Sequence, residues 1–255
     1  MTFGEMSINS QTYAEAISDL LPRVMREQAP QVSRAADLIT EAIRADGVVH
    51  AFGSGHSQAL AMEIAGRAGG LVPTNRLSLR DIVLYGGEPA SVLDDVRLER
   101  DPSVAERVLA LAPVRDGDVF VIASSSGVNG VVVELARLVK ERGHGLIAIT
   151  SLDHTGRVEP RHPSGKRLCD LADVVVDNGA PYGDAALPLP GGGATGAVSS
   201  VTGAALAQMI VTEVVGRLIE AGEAPPVYLS MNVPGGDEHN NQLEARYAGR
   251  IRRGA

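Results

Sequence analysis

Cysteine is nearly absent from this chain of 255 residues: Cys169 stands alone, so no intrachain disulfide can form. A lone thiol suits a reducing cytoplasm, which is the expected compartment. Bases are also short, 23 against 31 acids, for a net charge of -8. Duplex-binding proteins display a basic stripe that neutralises phosphates. Here bases cluster only near the end, at Arg246, Arg250, Arg252 and Arg253, and read as a solvated helix end favoured by the helix dipole. Nucleic acid is therefore not expected as a partner. The opening MTFGEMSINS has no basic region followed by an apolar run, so no secretory leader is expected. Long uncharged apolar runs are missing as well. The most apolar segment, 197–219, contains Ser199, Ser200, Thr202, Gln208 and Glu213, too polar for a lone span, so no membrane is expected either.

What is present is hydrophobic content, 44% of residues, enough for one large α/β domain. The first 46 residues predict two helices separated at Pro30; Val32, Ala35, Ala36, Ile39 and Ile43 form the buried stripe of the second. Short apolar strands are expected at 48–52, 71–73, 118–123, 145–150 and 172–176, with helices at about 56–68, 128–142 and 198–221. Residues 76–102 read as irregular with one short helix, and a last helix is expected from Asp237. Strands that are continuously apolar and alternate with helices indicate a parallel sheet covered on both faces. The prediction is one structural domain, a five-stranded, doubly wound α/β/α sandwich: N-terminal helices over 1–46, the core over 47–222, and a tail over 223–255.

Ligands of such sheets bind at the C-terminal ends of the strands. Four loops fall there: GSGHS (53–57), SSSGVNG (124–130), the His- and Arg-containing loop 151–166, and the segment before Ser199 and Ser200. A dinucleotide fingerprint fails in the first, because Gln58 replaces its third glycine and Thr74-Asn75 stands where an acid is needed for ribose. A Walker loop would need Gly-Lys-Ser/Thr, which is absent. Ser124, Ser125 and Ser126 instead sit between a strand and a helix N-terminus, where free amides, the helix dipole and hydroxyls favour an anion. The plainer alternative is that Ser126 or Asn129 merely caps the helix.

With their order and spacing, these turns resemble the sugar isomerase (SIS) domain family of phosphosugar-binding proteins over nearly the whole chain. GSGHS resembles that family's first ligand turn. SSSGVN resembles its Ser-x-Ser-Gly-x-Thr phosphate loop, with Asn129 in place of Thr. HSQALAMEIAGRAGG, RHPSGK and PPVYLSMNVPGGDEHN look like a small single-domain subgroup similar to an N-acetylglucosamine-6-phosphate dehydratase. The resemblance implies a homodimer whose active site is completed by the partner's C-terminal residues. It also implies a phosphorylated amino sugar bound by Ser54, Gly55, His56, Ser57, Ser124, Ser125, Ser126, Asn129, Ser199 and Ser200.

Glu63 lies in an almost wholly apolar helix, where burial would raise a carboxylate pKa toward that of a general base. It follows His56 by seven residues, a spacing that places both on one helix face. The alternative is an i,i+4 ion pair with Arg67. His239, beside Glu238, is the second catalytic candidate, a group able to pass protons near neutral pH. Lys166 is a further candidate near phosphate. The spacings of His154, His162 and Cys169 fit no compact ligand pattern, so no metal is expected. No organic cofactor is expected either, because an open-chain sugar's own carbonyl stabilises the carbanion. The leading expectation is a lyase that abstracts the C2 proton of the sugar phosphate and expels the C3 hydroxyl. An aldose–ketose isomerase and a non-catalytic phosphosugar sensor are the alternatives.

Overall fold

The computed structural model of the protein describes residues 7–253. The first six residues of the opening stretch lie outside it. Helix α1 (Ser10–Arg44) starts with a capping box, in which Asn9 accepts the amides of Gln11 and Thr12 while the Thr12 hydroxyl accepts the Asn9 amide. The helix runs unbroken through Pro22 and Pro30, so the expected division at Pro30 is corrected to a single element. Both prolines are exposed, and the carbonyls they leave unpaired, on exposed Ser18 and Arg26, can be hydrated. Burial of Val32, Ala35, Ala36 and Ile39 offsets the cost.

The remaining elements alternate: β1 (Val49–Gly53), α2 (Gln58–Ile64), β2 (Thr74–Leu77), α3 (Asp81–Leu84), α4 (Ser103–Leu111), β3 (Val119–Ala123), α5 (Gly130–Glu141), β4 (Gly145–Thr150), α6 (Leu152–Arg157), β5 (Val174–Asp177), β6 (Ala185–Pro188), β7 (Ala194–Ala197), α7 (Ser199–Glu220) and α8 (Gly236–Ala245). The five main strands form one parallel sheet in the order β2-β1-β3-β4-β5. Alternate residues serve opposite faces. Val49, Ala51, Val121 and Ile149 pack with α1, α2 and α7, whereas Phe52, Phe120, Ile122 and Ala148 pack with α4 and α5. The three-layer sandwich is as the sequence predicts.

Four local expectations are corrected. The second strand starts three residues late, because Leu71 is taken by an antiparallel bridge to Val227 of the tail. Helix α2 ends at Ile64, where the chain turns extended at Ala65 and then left-handed at Gly66. Helix α4 fills part of what had no expected element, burying Val104, Ala105, Val108 and Leu109. The glycine-rich run makes the turn of the β6–β7 hairpin, with Gly191, Gly192 and Gly193 at positive φ. The apolar α7, long enough to cross a membrane, is instead a core helix against α1 and α2.

After α7 the tail packs on its own chain near the N-terminal ends of the strands. Arg250 pairs with Asp46 at 2.8 Å and with buried Asp118 at 3.2 Å. The Asn75 side chain clamps the same segment, donating to the Arg250 carbonyl and accepting the Arg252 amide, both at 2.6 Å. Tyr228 and Tyr247 join Val48 and Val72 in a small satellite core.

Candidate functional site

The C-terminal ends of β1 and β3 are neighbours, with Gly53 opposite Ala123, so the turns that follow them share one rim. After β1 the chain tightens into a 3-10 turn, Gly55–Ser57, before α2 begins. A Cβ on Gly53 would lie 2.2 Å from the Ser57 carbonyl, and Gly55 needs φ +56°, so the turn requires both glycines. Ser54 is buried, whereas His56 is exposed and belongs to the 3-10 turn. The seven-residue helical phase expected between His56 and Glu63 therefore does not apply.

The second turn is braced from below. Thr150 donates its hydroxyl to the Ser124 carbonyl at 2.7 Å, and the Ser124 hydroxyl accepts the Gly127 amide at 3.1 Å. Ser125 accepts a bond from Asn178 at 3.3 Å. Asn129 occupies the N-cap of α5, yet its side chain makes no cap bond. It donates instead to Glu99 at 2.9 Å and accepts from Arg161 at 3.3 Å. Among the described residues, the amides of Ser126, Val128 and Asn129 find no acceptor, nor does Ser126 cap the helix. The plain capping alternative is thus not what the geometry does. A helix N-terminus with free amides and a half-buried hydroxyl is left facing the rim.

The loop at Ser199 differs. Asp184, itself at φ +66°, accepts the Ser199 amide at 2.8 Å and its hydroxyl at 2.7 Å. That carboxylate already occupies the position an anion would take at the start of α7. Ser199 as an anion ligand is therefore corrected to a capped serine; Ser200 is exposed beside it.

Glu63 is half-buried, its side chain 28% exposed, and not sealed in an apolar shell as expected. It forms the i,i+4 ion pair with Arg67 and accepts from Gln208 of α7 at 2.9 Å. None of these partners belongs to a serine turn. His239 donates from Nε2 to the Val227 carbonyl at 3.0 Å. Val227 in turn pairs with Leu71, ahead of β2, so His239 stands toward the end of the sheet opposite the serine rim. Glu238 is exposed and accepts from Gln242. Lys166 is exposed; the residue of that loop which reaches the rim is Arg161. His162 is committed to Glu134 at 2.9 Å and Ser164 at 2.8 Å, a loop anchor.

Within one chain, the structure thus brings together Ser54, Gly55, Ser124–Ser126 and Asn129, and adds Glu99 and Arg161. It leaves Glu63, Arg67, His239, Glu238 and Lys166 outside that group. Glu99 escapes sequence reasoning because its segment has no periodicity and its partners are distant in the chain. A cavity of about 710 Å³ lies elsewhere, along the free edge of β2, lined by Arg67, Arg76, Tyr85, Met231 and Arg252 among others.

Residues 12–151 match the SIS domain, and the chain is 38% identical over 240 residues to a UPF0309 protein of Listeria innocua, covering 94% of this chain and 96% of that one. The chain belongs to the SIS domain family. A Brucella canis UPF0309 protein is 40% identical over 223 residues, covering 87% of this SIS chain and 89% of the relative. Among solved structures, phosphoheptose isomerase of Neisseria gonorrhoeae shares the fold at a TM-score of 0.55 and 20% identity, covering 81% of this chain and 96% of its own. The Vibrio vulnificus NanR protein complexed with ManNAc-6P does so at 0.50 and 14%, covering 96% and 69%.

Proposed function

We propose that this SIS protein is a cytoplasmic enzyme acting on an aldose 6-phosphate, in which the serine turn before α5 holds the phosphate. The observation that carries this reading is the uncapped N-terminus of α5. Asn129 is turned away to Glu99, leaving the amides of Ser126, Val128 and Asn129 free beside the serine hydroxyls. Such a cradle suits a dianionic group better than a neutral one. The open-chain sugar would extend from it toward Ser54 and Gly55. There a carboxylate removes the C2 proton, made acidic by the adjacent aldehyde.

Two outcomes follow from that carbanion. Expulsion of the C3 hydroxyl makes the protein a lyase on an N-acylated amino sugar, the reading favoured by the resemblance of the first helix and the tail. Return of the proton to C1 makes it an isomerase, a reading favoured by the phosphoheptose isomerase fold neighbour. Glu63 and His239 enter this reading as groups supplied by the other subunit of a homodimer, assisting ring opening or departure of the hydroxyl. Support for a dimer comes from the exposed Met62, Leu84, Tyr85, Leu229 and Met231 gathered at the β2 edge.

Mass spectrometry of purified protein with a panel of hexose and hexosamine 6-phosphates tests the proposal. Loss of one water identifies the lyase, and an unchanged mass with a new isomer identifies the isomerase. In Ser126→Ala, phosphosugar affinity should fall by about 10-fold, the equivalent of one charge-assisted hydrogen bond. Unaltered affinity there, measured by calorimetry, removes the serine cradle from the reading.

A further inference from the structure

We propose that Glu99 is the catalytic residue that takes the C2 proton, an assignment that rests on the phosphosugar reading above. Glu99 is in the 3-10 turn Leu98–Arg100, ahead of α4. One carboxylate oxygen accepts the Asn129 amide at 2.9 Å; the other is 3.6 Å from where a Cβ on Gly55 would be. Glu99 therefore lies between the two ligand turns, bonded to Asn129 of one and beside the open face of Gly55 in the other. Its backbone has little freedom. Leu98 is buried in the core under α4 and α5, and the Arg100 carbonyl fits so closely to Gly130 that a Cβ there would come within 2.2 Å.

This clamp explains three residue choices together. Gly55 leaves an open approach beside the carboxylate, Gly130 admits the turn that bears it, and Asn129 gives up its cap to hold it. A carboxylate fixed between a phosphate cradle and an open glycine is positioned for a carbon several bonds from the phosphate. In the step itself the C2–H electron pair moves into a C1–C2 enediolate, and the proton passes to a Glu99 oxygen. Glu99 then returns that proton to C1 while the C2 hydroxyl proton passes to O1, giving the ketose. Alternatively the carbanion pair forms a C2–C3 double bond while the C3 hydroxyl departs with that proton as water.

Three measurements on the full-length protein decide the assignment. The first is deuterium wash-in at C2, followed by NMR in D2O with the substrate found in the panel. The second is phosphosugar affinity, and the third is peptide mapping after treatment with a 1,2-anhydrohexitol 6-phosphate, an epoxide that esterifies the base of such sites. Glu99→Gln should slow wash-in and turnover by about 1,000-fold, within the usual range for loss of a general base, with affinity changed less than about threefold. The epoxide should label Glu99 in the wild type, which requires no variant to fold. Labelling of Glu63 or His239, wild-type wash-in by Glu99→Gln, or loss of affinity in step with activity overturns the assignment. A wild type that binds phosphosugars but neither exchanges nor converts any of them overturns the enzyme reading instead, and the Glu99 assignment with it.

Discussion

Asp118 holds four partners at once. It has no exposure, yet it accepts from the Val48 amide at 2.7 Å, the Arg115 amide at 2.8 Å and Arg250 at 3.2 Å, and pairs with His50 at 3.0 Å. Burial pushes its carboxyl up, but His50 and the two amides outweigh that and hold it below the ordinary carboxylate range. A depressed folded pKa gives stability that is present above the unfolded value and lost as pH falls through the folded one. Asp118→Ala should lower unfolding free energy by about 3 kcal/mol, because it strands buried Arg250 and leaves buried donors unpaired; urea titration checks this. His144, which bonds the Asp118 carbonyl at 3.1 Å, shifts the other titration. Burial pushes its imidazole below the usual range, so the unfolded chain takes up the proton first. Stability should decline as pH falls below the ordinary imidazole value of about 6.5, and His144→Gln should flatten that decline in thermal melts.

At the scale of elements, the parallel sheet was legible because its central strands are continuous apolar runs such as DVFVIA and GLIAIT. The second half of α1 was legible from its stripe, and α7 from its length of apolar sequence. Local pattern says little about prolines on an exposed face, which is why α1 reads as two helices. It says less about a nine-residue helix such as α4, whose inner stripe is only four residues. The site divides the same way. Ser54 and the serine run announce themselves as small polar residues at strand ends. Glu99 does not, since it matters only once Gly55 and Asn129 stand beside it, and no local signal encodes a contact across 30 positions. Nor does sequence reveal that Asp184 already fills the start of α7. The clamp at Gly130 gives an element-scale prediction. Gly130→Ala forces the Arg100 carbonyl away, so activity should drop about 100-fold, while the five-stranded sheet and its circular dichroism are kept. Unchanged activity in that variant would show that the turn bearing Glu99 is free to move.

For the whole molecule, the question is how one chain with its acid–base candidates divided between two ends forms a single site. The homodimer proposed across the β2 edge would answer it, and sedimentation equilibrium should then give about twice the 26.6 kDa chain mass. Substituting Met231, 62% exposed, by Asp should shift that mass toward the monomer and lower activity in parallel. The tail contributes in another way. Arg250 reaches Asp118 across 132 positions of sequence, and Asp46 across 204. During synthesis the sheet strands therefore leave the ribosome long before the cation that completes their buried carboxylate. The nascent core carries a part-paired anion until Arg250 emerges. Final consolidation of the domain thus waits for Arg250, and fragments stalled short of residue 250 should be open to proteases that the finished protein resists.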